Sequence, residues 1–203
     1  ALSLFGTIEV RWYGIIMVTG IILAFLYAYY RSKHEGVSFD DLLDYAIFTV
    51  LSGIVGARLY YVITSGQKYS FGEIFAIWNG GIAIYGAVIA AVLVVIIYAK
   101  RKKFSTPALM DAGCLGLILG QIIGRWANFV NREAFGGETD LPWRMRVWIS
   151  EFQYADVHPT FFYESMWNLI GLLLLLFVVS KGRRFDGENA CFYFLWYGIG
   201  RFW

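Results

Sequence analysis

Long apolar runs separated by short charged borders make up most of this chain. Four of the runs cover residues 13–30, 40–63, 80–99 and 161–179, and another begins at Pro107. A helix of roughly 20 apolar residues crosses about 30 Å of hydrocarbon, so runs of this length predict transmembrane helices. The pattern is typical of an all-α polytopic membrane protein.

The last apolar run, residues 190–203, is too short to cross a bilayer and stops in mid-pattern. We expect about six transmembrane helices in this sequence and seven in the intact chain, with more helix after Trp203. The first residues contain no basic stretch, so we expect no cleavable signal peptide. The chain starts at Ala1 without an initiator methionine, which indicates a trimmed N-terminus. Residues 1–203 are predicted to form a single integral membrane domain.

Residues 134–157 form the one sizeable segment without helical periodicity. Within it, residues 143–149 alternate between polar and apolar side chains, which predicts a short strand or an interfacial hairpin. We expect this segment to be extracytoplasmic. A second loop, residues 64–79, is expected to contain a short interfacial helix.

Composition narrows the class further. Hydrophobic residues make up 59% of the chain and the mean hydropathy is +0.57, which excludes an ordinary soluble domain. Alternating segments of about 10 residues are absent, which excludes a membrane β-barrel. Nothing indicates a nucleic-acid partner. Cys114 and Cys191 lie within apolar segments, so we expect packed thiols with no redox role.

Basic residues predict the orientation of the helices. They follow the first, third and fifth runs, as Arg31 and Lys33, then Lys100, Arg101, Lys102 and Lys103, then Lys181, Arg183 and Arg184. Because basic residues concentrate in cytoplasmic loops, these ends are predicted to be cytoplasmic and the N-terminus to lie outside.

That orientation brings polar residues from six segments to the outer leaflet. They are Arg11, Arg58, Tyr85, Arg125, Arg132, Glu133, His158, Glu164, Tyr197 and Arg201. An arginine within a span costs about 2.5 to 3.5 kcal/mol on insertion scales, so Arg58, Arg125 and Arg201 at one level need a common anion. Guanidinium groups match phosphate oxygens in a bidentate manner, which favours a phospholipid headgroup as the ligand.

The motif GRWANFVNREAFGG, residues 124–137, is the predicted centre of the site. On one helix face the polar residues recur at helical spacing, as Gln121, Arg125, Asn128 and Arg132. A second face carries Gly116, Gly120 and Gly124, the small-residue spacing that lets another membrane helix approach closely. Arg132 lies furthest out and is expected to be solvated.

Other interpretations of the polar cluster remain open. Glu133 and Glu164 would form a purely structural ion-pair network with the arginines. A transporter or channel for an anionic solute or lipid would use the same arginines, although the sequence shows no internal repeat. Asp44 and Asp111 would make an aspartyl protease pair, but both lie near the first turn of a span, where acidic residues are common. No second histidine accompanies His158, so no metal site is expected.

The motifs together resemble one known family, the bacterial prolipoprotein diacylglyceryl transferases. The resemblance rests on GRWANFVNREAFGG and, in family order, on RWYG, GARLYYV, GGIAIYG, HPTFFYE and YGIGRF. It implies transfer of a diacylglyceryl group from phosphatidylglycerol to the lipobox cysteine in the signal peptide of a preprolipoprotein, with release of glycerol phosphate. It also implies a bacterial cell membrane, an active site toward the outer leaflet and no cofactor.

The resemblance suggests roles for individual residues. Arg125 and Arg201 match family arginines that would stabilise the charge developing on the leaving group. Asn128 and Glu133 match residues that would orient the headgroup and Arg125. The further candidates for substrate binding are Tyr13, Arg58, Asn131, Gly136, His158, Glu164 and Tyr197.

Tyr85 departs from part of the family. Some members carry histidine in the corresponding GGxxxHG block, where it is proposed as a general base. A free tyrosine hydroxyl has a pKa near about 10, so tyrosine is a poor base at neutral pH. We expect Tyr85 to hydrogen-bond lipid or substrate while the arginines make a dedicated base unnecessary.

Overall fold

The computed structural model describes residues 2–4, 8–10, 12–33, 37–77, 80–150 and 153–202, and Arg11 lies outside them. Its elements in chain order are β1 (Leu2–Leu4), β2 (Ile8–Val10), α1 (Trp12–Ser32), α2 (Phe39–Thr64), α3 (Phe71–Ile74), α4 (Ile84–Lys102), α5 (Thr106–Asn131), β3 (Met145–Ser150), β4 (Gln153–Val157), α6 (Thr160–Leu174) and α7 (Glu188–Phe202). A single π-helical turn, Leu175–Val179, extends α6.

Five helices within the described residues are long and apolar enough to cross a membrane. They are α1, α2, α4, α5 and α6 with its π-helical turn. A further helix, α7, has 15 residues and is formed by the last apolar run, which is too short to cross a bilayer. These helices confirm the prediction of an all-α polytopic membrane protein.

The chain divides into two compact units. The first unit comprises Ala1–Tyr30 and Asp111–Trp203, and the second comprises Arg31–Met110. Each unit has its own internal packing.

In the first unit the glycine stripe of α5 packs against α1. A Cβ on Gly116 would lie 2.9 Å from the Ala24 carbonyl oxygen, and one on Gly120 would lie 3.6 Å from the Ala24 Cβ. A Cβ on Gly124 would lie 3.5 Å from the Met17 sulfur. Small residues therefore bring the two helices close together, as the spacing predicted.

Still in the first unit, α6 and α7 are joined by two stacked indoles. The Trp167 and Trp196 rings lie 4.2 Å apart at 14°, and each indole N–H donates to the main-chain carbonyl of the other residue. The rings leave no room for side chains at Gly171 and Gly200, where a Cβ would overlap an indole. At its N-terminal end α7 is held by buried Asp111, whose carboxylate accepts from two main-chain N–H groups there.

The predicted extramembrane segment contains the antiparallel hairpin of β3 and β4. Its buried face consists of Val147, Ala155 and Val157, which pack together. The alternation seen in the sequence thus corresponds to a two-faced hairpin, and that prediction is confirmed. The other hairpin, β1 with β2, pairs Leu2 with Val10 and was not predicted, since three-residue strands carry too little periodicity.

In the second unit α2 packs against α4 through glycine. A Cβ on Gly56 would lie 2.6 Å from the Gly86 carbonyl oxygen, which leaves room only for hydrogen. Near the other end of α4, the Tyr98 hydroxyl donates to the Asp41 carbonyl at 2.8 Å and the Lys102 ammonium pairs with the Asp41 carboxylate at 2.7 Å. Helix α4 begins four residues later than predicted because the chain before it carries glycines with positive φ.

Candidate active site

In the first unit, two arginines form ion pairs with a single carboxylate. Glu164, in the first two turns of α6, forms an ion pair with Arg125 near the end of α5. Its other oxygen accepts from Arg201, in the last turn of α7, at 3.2 Å. The three residues come from three helices, and the structure therefore brings together both predicted catalytic arginines.

A cavity of about 270 Å³ lies beside this cluster, between α6 and α7. Its lining includes Thr160, Tyr163, Glu164, Asn168, Tyr197 and Arg201. The Arg201 side chain is 57% exposed and that of Arg125 is 28% exposed, so both guanidiniums remain accessible to a ligand. The cavity thus combines fixed positive charge with hydroxyl and amide groups.

His158 lies at the rim of the same unit, in the segment that leads into α6. Its Nδ1 is 3.2 Å from the Tyr163 hydroxyl, and that hydroxyl accepts from the Trp143 indole N–H at 2.8 Å. Since the tyrosine oxygen accepts from the indole, its own proton is available for His158. His158 therefore orients a cavity-lining tyrosine.

Gly136 allows two loop segments to approach each other. Its N–H donates to the His158 carbonyl at 2.9 Å, and a Cβ there would lie 2.8 Å from the His158 Cβ. Thr160 also donates to the Ala134 carbonyl. The close neighbours of Gly136 are thus atoms of this chain's own His158 and Thr160, and its role toward substrate stays a prediction.

Glu133 does not pair with Arg125 as the resemblance suggested. Its carboxylate accepts from Asn128 at 3.1 Å and from Asn131 at 3.4 Å. The chain leaves helical geometry at Arg132, whose φ is +53°, and this turn directs Glu133 back toward the two asparagines. Glu164 takes the place predicted for Glu133 beside Arg125.

Arg58, in the second unit, has a different environment. The residue is only 6% exposed, and its guanidinium donates to the carbonyls of Glu73, Ile74, Gly80 and Gly81 at 2.5 to 3.0 Å. Those four bonds use most of its five N–H donors. The contacts tie together the two ends of the loop before α4, and phosphate binding by Arg58 stays a prediction.

Two predicted tyrosines take part in none of the hydrogen bonds described above for the site residues. Tyr85, in the first turn of α4, is 69% exposed and its ring meets that of Tyr60 at 6.3 Å. Tyr13, in the first turn of α1, is partly buried and takes part in no hydrogen bond or ring contact within the described part of the chain. Their roles toward lipid stay predictions.

Sequence reasoning did not single out several residues of the cavity. Tyr163 stands within the HPTFFYE motif, but only the fold shows that it bridges His158 and the cavity. Asn168 lies one helical turn after Glu164, a spacing that places both on one face and was a usable signal. Asp111, weighed as a protease residue, instead caps α7. Across the described ranges, no three His, Cys, Asp or Glu side chains are grouped to hold a metal ion.

The fold and the cluster together define a class: a multi-pass membrane protein with paired arginines beside a polar cavity. A family model described as Prolipoprotein diacylglyceryl transferase matches residues 1–203. The chain belongs to this family.

Curated relatives agree with that assignment. The chain is 41% identical to the phosphatidylglycerol–prolipoprotein diacylglyceryl transferase of Finegoldia magna over all of its length and 80% of the relative's. It is 42% identical to the Lysinibacillus sphaericus protein of the same name, over 98% of this chain and 76% of that one. The Thermotoga petrophila protein of the same name is 41% identical over 97% of this chain and 70% of its own length.

Proposed function

We propose that this chain transfers the diacylglyceryl group of phosphatidylglycerol to the cysteine thiol in the signal peptide of a preprolipoprotein. Family membership supports the reaction. The location that we propose for it rests on one observation: Arg125 and Arg201 share the Glu164 carboxylate beside the cavity. Two guanidiniums and one carboxylate leave a net charge of one positive unit. That charge fits a monoanionic phosphodiester.

In the reaction the thiolate sulfur attacks the glycerol carbon that bears the phosphate. A carbon–sulfur bond forms, the carbon–oxygen bond to phosphate breaks, and glycerol phosphate leaves. The lipid phosphate changes from a monoanionic diester to a monoester that carries a second charge, which the proton released by the thiol balances. Arg125 and Arg201 stabilise this developing charge, because interactions that strengthen in the transition state accelerate the step.

The same positive field favours the thiolate form of the incoming cysteine, since cationic neighbours lower a thiol pKa. A strong protein base is then unnecessary. Tyr85 contributes a hydrogen bond to lipid or peptide in this scheme. Tyr13, Arg58, Asn128, Asn131, Glu133, Gly136, His158, Glu164 and Tyr197 position the substrates or the groups that hold them.

We further propose that the protein lies in the bacterial cell membrane with this site toward the outer leaflet and the N-terminus outside. The basic residues after the first, third and fifth apolar runs support this orientation. Cysteines introduced at Thr139 and Lys103, in a Cys191→Ser background that keeps only the buried Cys114, test it. A membrane-impermeant maleimide should label the Thr139→Cys protein in intact cells and the Lys103→Cys protein only after lysis. The reverse pattern would contradict the proposal.

The mass of a lipobox peptide after incubation tests the transferase activity. Purified protein is incubated with a lipobox peptide and vesicles that contain phosphatidylglycerol, and the peptide is weighed. We expect a gain equal to one diacylglyceryl group, and no gain with vesicles of phosphatidylcholine alone or with a peptide whose cysteine is replaced by serine. Absence of the gain with fluid phosphatidylglycerol rejects the transferase in favour of an anion or lipid transporter.

A further inference from the structure

One face of the β3–β4 hairpin is exposed and aromatic. Trp148 on β3 and Tyr154 on β4 lie directly opposite each other and are 60% and 53% exposed. Their rings meet edge to face at 6.0 Å, and the Arg146 guanidinium lies 4.1 Å from the centre of the Tyr154 ring. These three residues form the aromatic face of the hairpin. Side chains that alternate with them along the strands pack together on the other side, so the aromatic face is not part of the hairpin's own core.

Short connections tie this hairpin to two of the membrane-spanning helices. Only two residues separate β4 from α6, and the span that α6 begins is long and apolar enough to cross a membrane. The segment after α5 runs beside β4, where the main-chain N–H groups of Gly136 and Thr139 donate to the carbonyls of His158 and Asp156 at 2.9 Å. At about 3.3 Å per residue, β4 and its connection keep the hairpin within roughly 25 Å of the start of α6. The aromatic face therefore stays near the membrane boundary.

Another exposed aromatic residue lies at that boundary. Trp143 is exposed, and its indole N–H donates to the Tyr163 hydroxyl in the first turn of α6. Trp and Tyr are enriched where spans meet the headgroup layer, because one end of each ring system is apolar and the other polar. Arginine suits the same layer, since its stem packs against apolar groups while its guanidinium reaches water or phosphate. The aromatic face thus has the composition of a membrane interface.

Charge differs between the two sides of the hairpin. Arg144 and Arg146 both donate to the Asp156 carboxylate at 2.8 to 3.2 Å, which leaves one excess positive charge beside the aromatic rings. Glu138 pairs with Val157 in an antiparallel bridge, so its side chain lies on the side of Val157 and not among the rings. Basic residues beside a membrane attract its anionic lipids. The aromatic face is therefore complementary to an anionic surface.

The shape of the aromatic face also bears on its partner. The residues that line the cavity between α6 and α7 all come from those two helices, and the hairpin contributes none of them. The face is a pair of rings on a two-stranded ribbon, which offers no part of that cavity to an inserted segment. A flat partner fits it better, and a bilayer surface at the end of α6 is such a partner.

We propose that the aromatic face lies in the headgroup layer of the membrane that α5 and α6 cross, and that it binds anionic phospholipid there. Trp148 and Tyr154 place their rings at the boundary between headgroups and acyl chains, and Arg146 pairs with lipid phosphate. The contact needs no step of the proposed transferase reaction. It holds His158, which lies between β4 and α6, at the depth of the headgroups.

Quenching of a fluorescent label by lipid tests this contact. A nitrobenzoxadiazole label is attached to Trp148→Cys, in a Cys191→Ser background that keeps only the buried Cys114, and the protein is placed in vesicles of phosphatidylcholine and phosphatidylglycerol. A spin label on the lipid headgroup should quench this label about twofold more than the same label at Gln153→Cys, because an interfacial side chain is surrounded by headgroups. Gln153 is an exposed neighbour of Tyr154 whose side chain points to the other side of the strand.

The charge of the vesicle tests the role of Arg146. Vesicles of phosphatidylcholine alone should give weaker quenching of the label at position 148 than mixed vesicles do. Arg146→Gln should abolish this difference, while quenching by lipid persists. Quenching that does not depend on phosphatidylglycerol when Arg146 is present would overturn its pairing with anionic lipid.

Equal quenching of the labels at positions 148 and 153 would overturn the proposal, and so would stronger quenching of the label at 148 by iodide in the aqueous phase. A label at 148 that responds only to added lipobox peptide would assign the face to a peptide partner, which also overturns it. If Trp148→Cys does not fold, Arg146→Cys carries the label on the same face with the same expected result. Quenching as expected without any mass gain of the peptide would reject the transferase function alone.

Discussion

Two regions of this protein hold arginine within apolar helices in opposite ways. In the second unit, Arg58 is buried and its guanidinium is occupied by four main-chain carbonyls. In the first unit, Arg125 and Arg201 share the carboxylate of Glu164 and remain accessible beside a cavity. The first arrangement leaves little capacity for a ligand, whereas the second keeps positive charge available.

The difference shows that an arginine in a transmembrane sequence does not by itself mark a ligand site. A guanidinium presents five N–H donors, and main-chain carbonyls can occupy them without any anion. A structural arginine differs from a ligand-binding one in how many of its N–H donors remain accessible to a ligand. Substitutions at both kinds of arginine test that distinction.

Arg125→Ala should lower kcat/KM for diacylglyceryl transfer by about 10³-fold, the usual scale for loss of a charge-stabilising group in a transition state. The matched control is Arg132→Ala, because Arg132 is an exposed arginine at the end of the same helix. Transfer rates measured by peptide mass should be close to wild type for the control. Equal losses in the two variants would mean that Arg125 acts only through general positive charge.

Arg58→Ala should act on stability more than on chemistry. Removing the guanidinium leaves four carbonyls without their charged donor, and we expect a loss of more than about 2 kcal/mol in the free energy of unfolding. Denaturant unfolding in detergent measures it, with Arg101→Ala on exposed α4 surface as the control. A stable Arg58→Ala protein whose KM for phosphatidylglycerol rises sharply would place Arg58 among the lipid-binding residues instead.

Gly200→Ala tests whether the indole pair fixes the cavity that Arg201 borders. A methyl group there overlaps the Trp167 ring, so we expect a loss of about 1 to 3 kcal/mol in unfolding free energy together with weaker activity. Gly198→Ala, two residues earlier in α7, meets nothing within 4 Å and should be tolerated. Similar unfolding curves for both variants would show that the indoles move aside easily.

Tyr85→Phe should retain measurable transferase activity, within about threefold of wild type, because only one exposed hydroxyl is removed and a hydrogen bond of this kind contributes modestly. The comparison is with Arg125→Ala under the same assay. A loss as complete as that of Arg125→Ala would make Tyr85 the proton acceptor and end the assignment of catalysis to the arginine pair.

The smallest effect concerns arginines at the surface, on the β3–β4 hairpin. Hydrogen bonds from Arg146 and Arg144 lower the pKa of the Asp156 carboxyl from its ordinary value of 3.8 to about 2. A depressed carboxyl pKa stabilises the folded hairpin above pH 4, and that contribution is lost as the pH falls from about 4 toward 2. Near-ultraviolet circular dichroism of the Trp148–Tyr154 pair should follow this change weakly in wild type. In Asp156→Asn the same signal should be independent of pH over that range.

Sequence alone determined the membrane class, because runs of about 20 apolar residues with charged borders have one common explanation. It also predicted the close packing at Gly116 and Gly120, since small residues four apart lie on one helix face. The two-faced hairpin followed from alternation. These are local or periodic properties, and the chain carries them without reference to distant residues.

Tertiary structure decided which charges meet. The resemblance assigned Glu133 to Arg125, whereas the turn at Arg132 and the docking of α6 place Glu164 beside it. The sequence places Arg58 and Arg201 at one level, whereas the loop carbonyls that occupy four of the five Arg58 donors come from residues 15 to 23 positions away. Hydrogen-bond partners at such separations depend on how elements pack, so no pattern along the chain reveals which arginine stays accessible to a ligand.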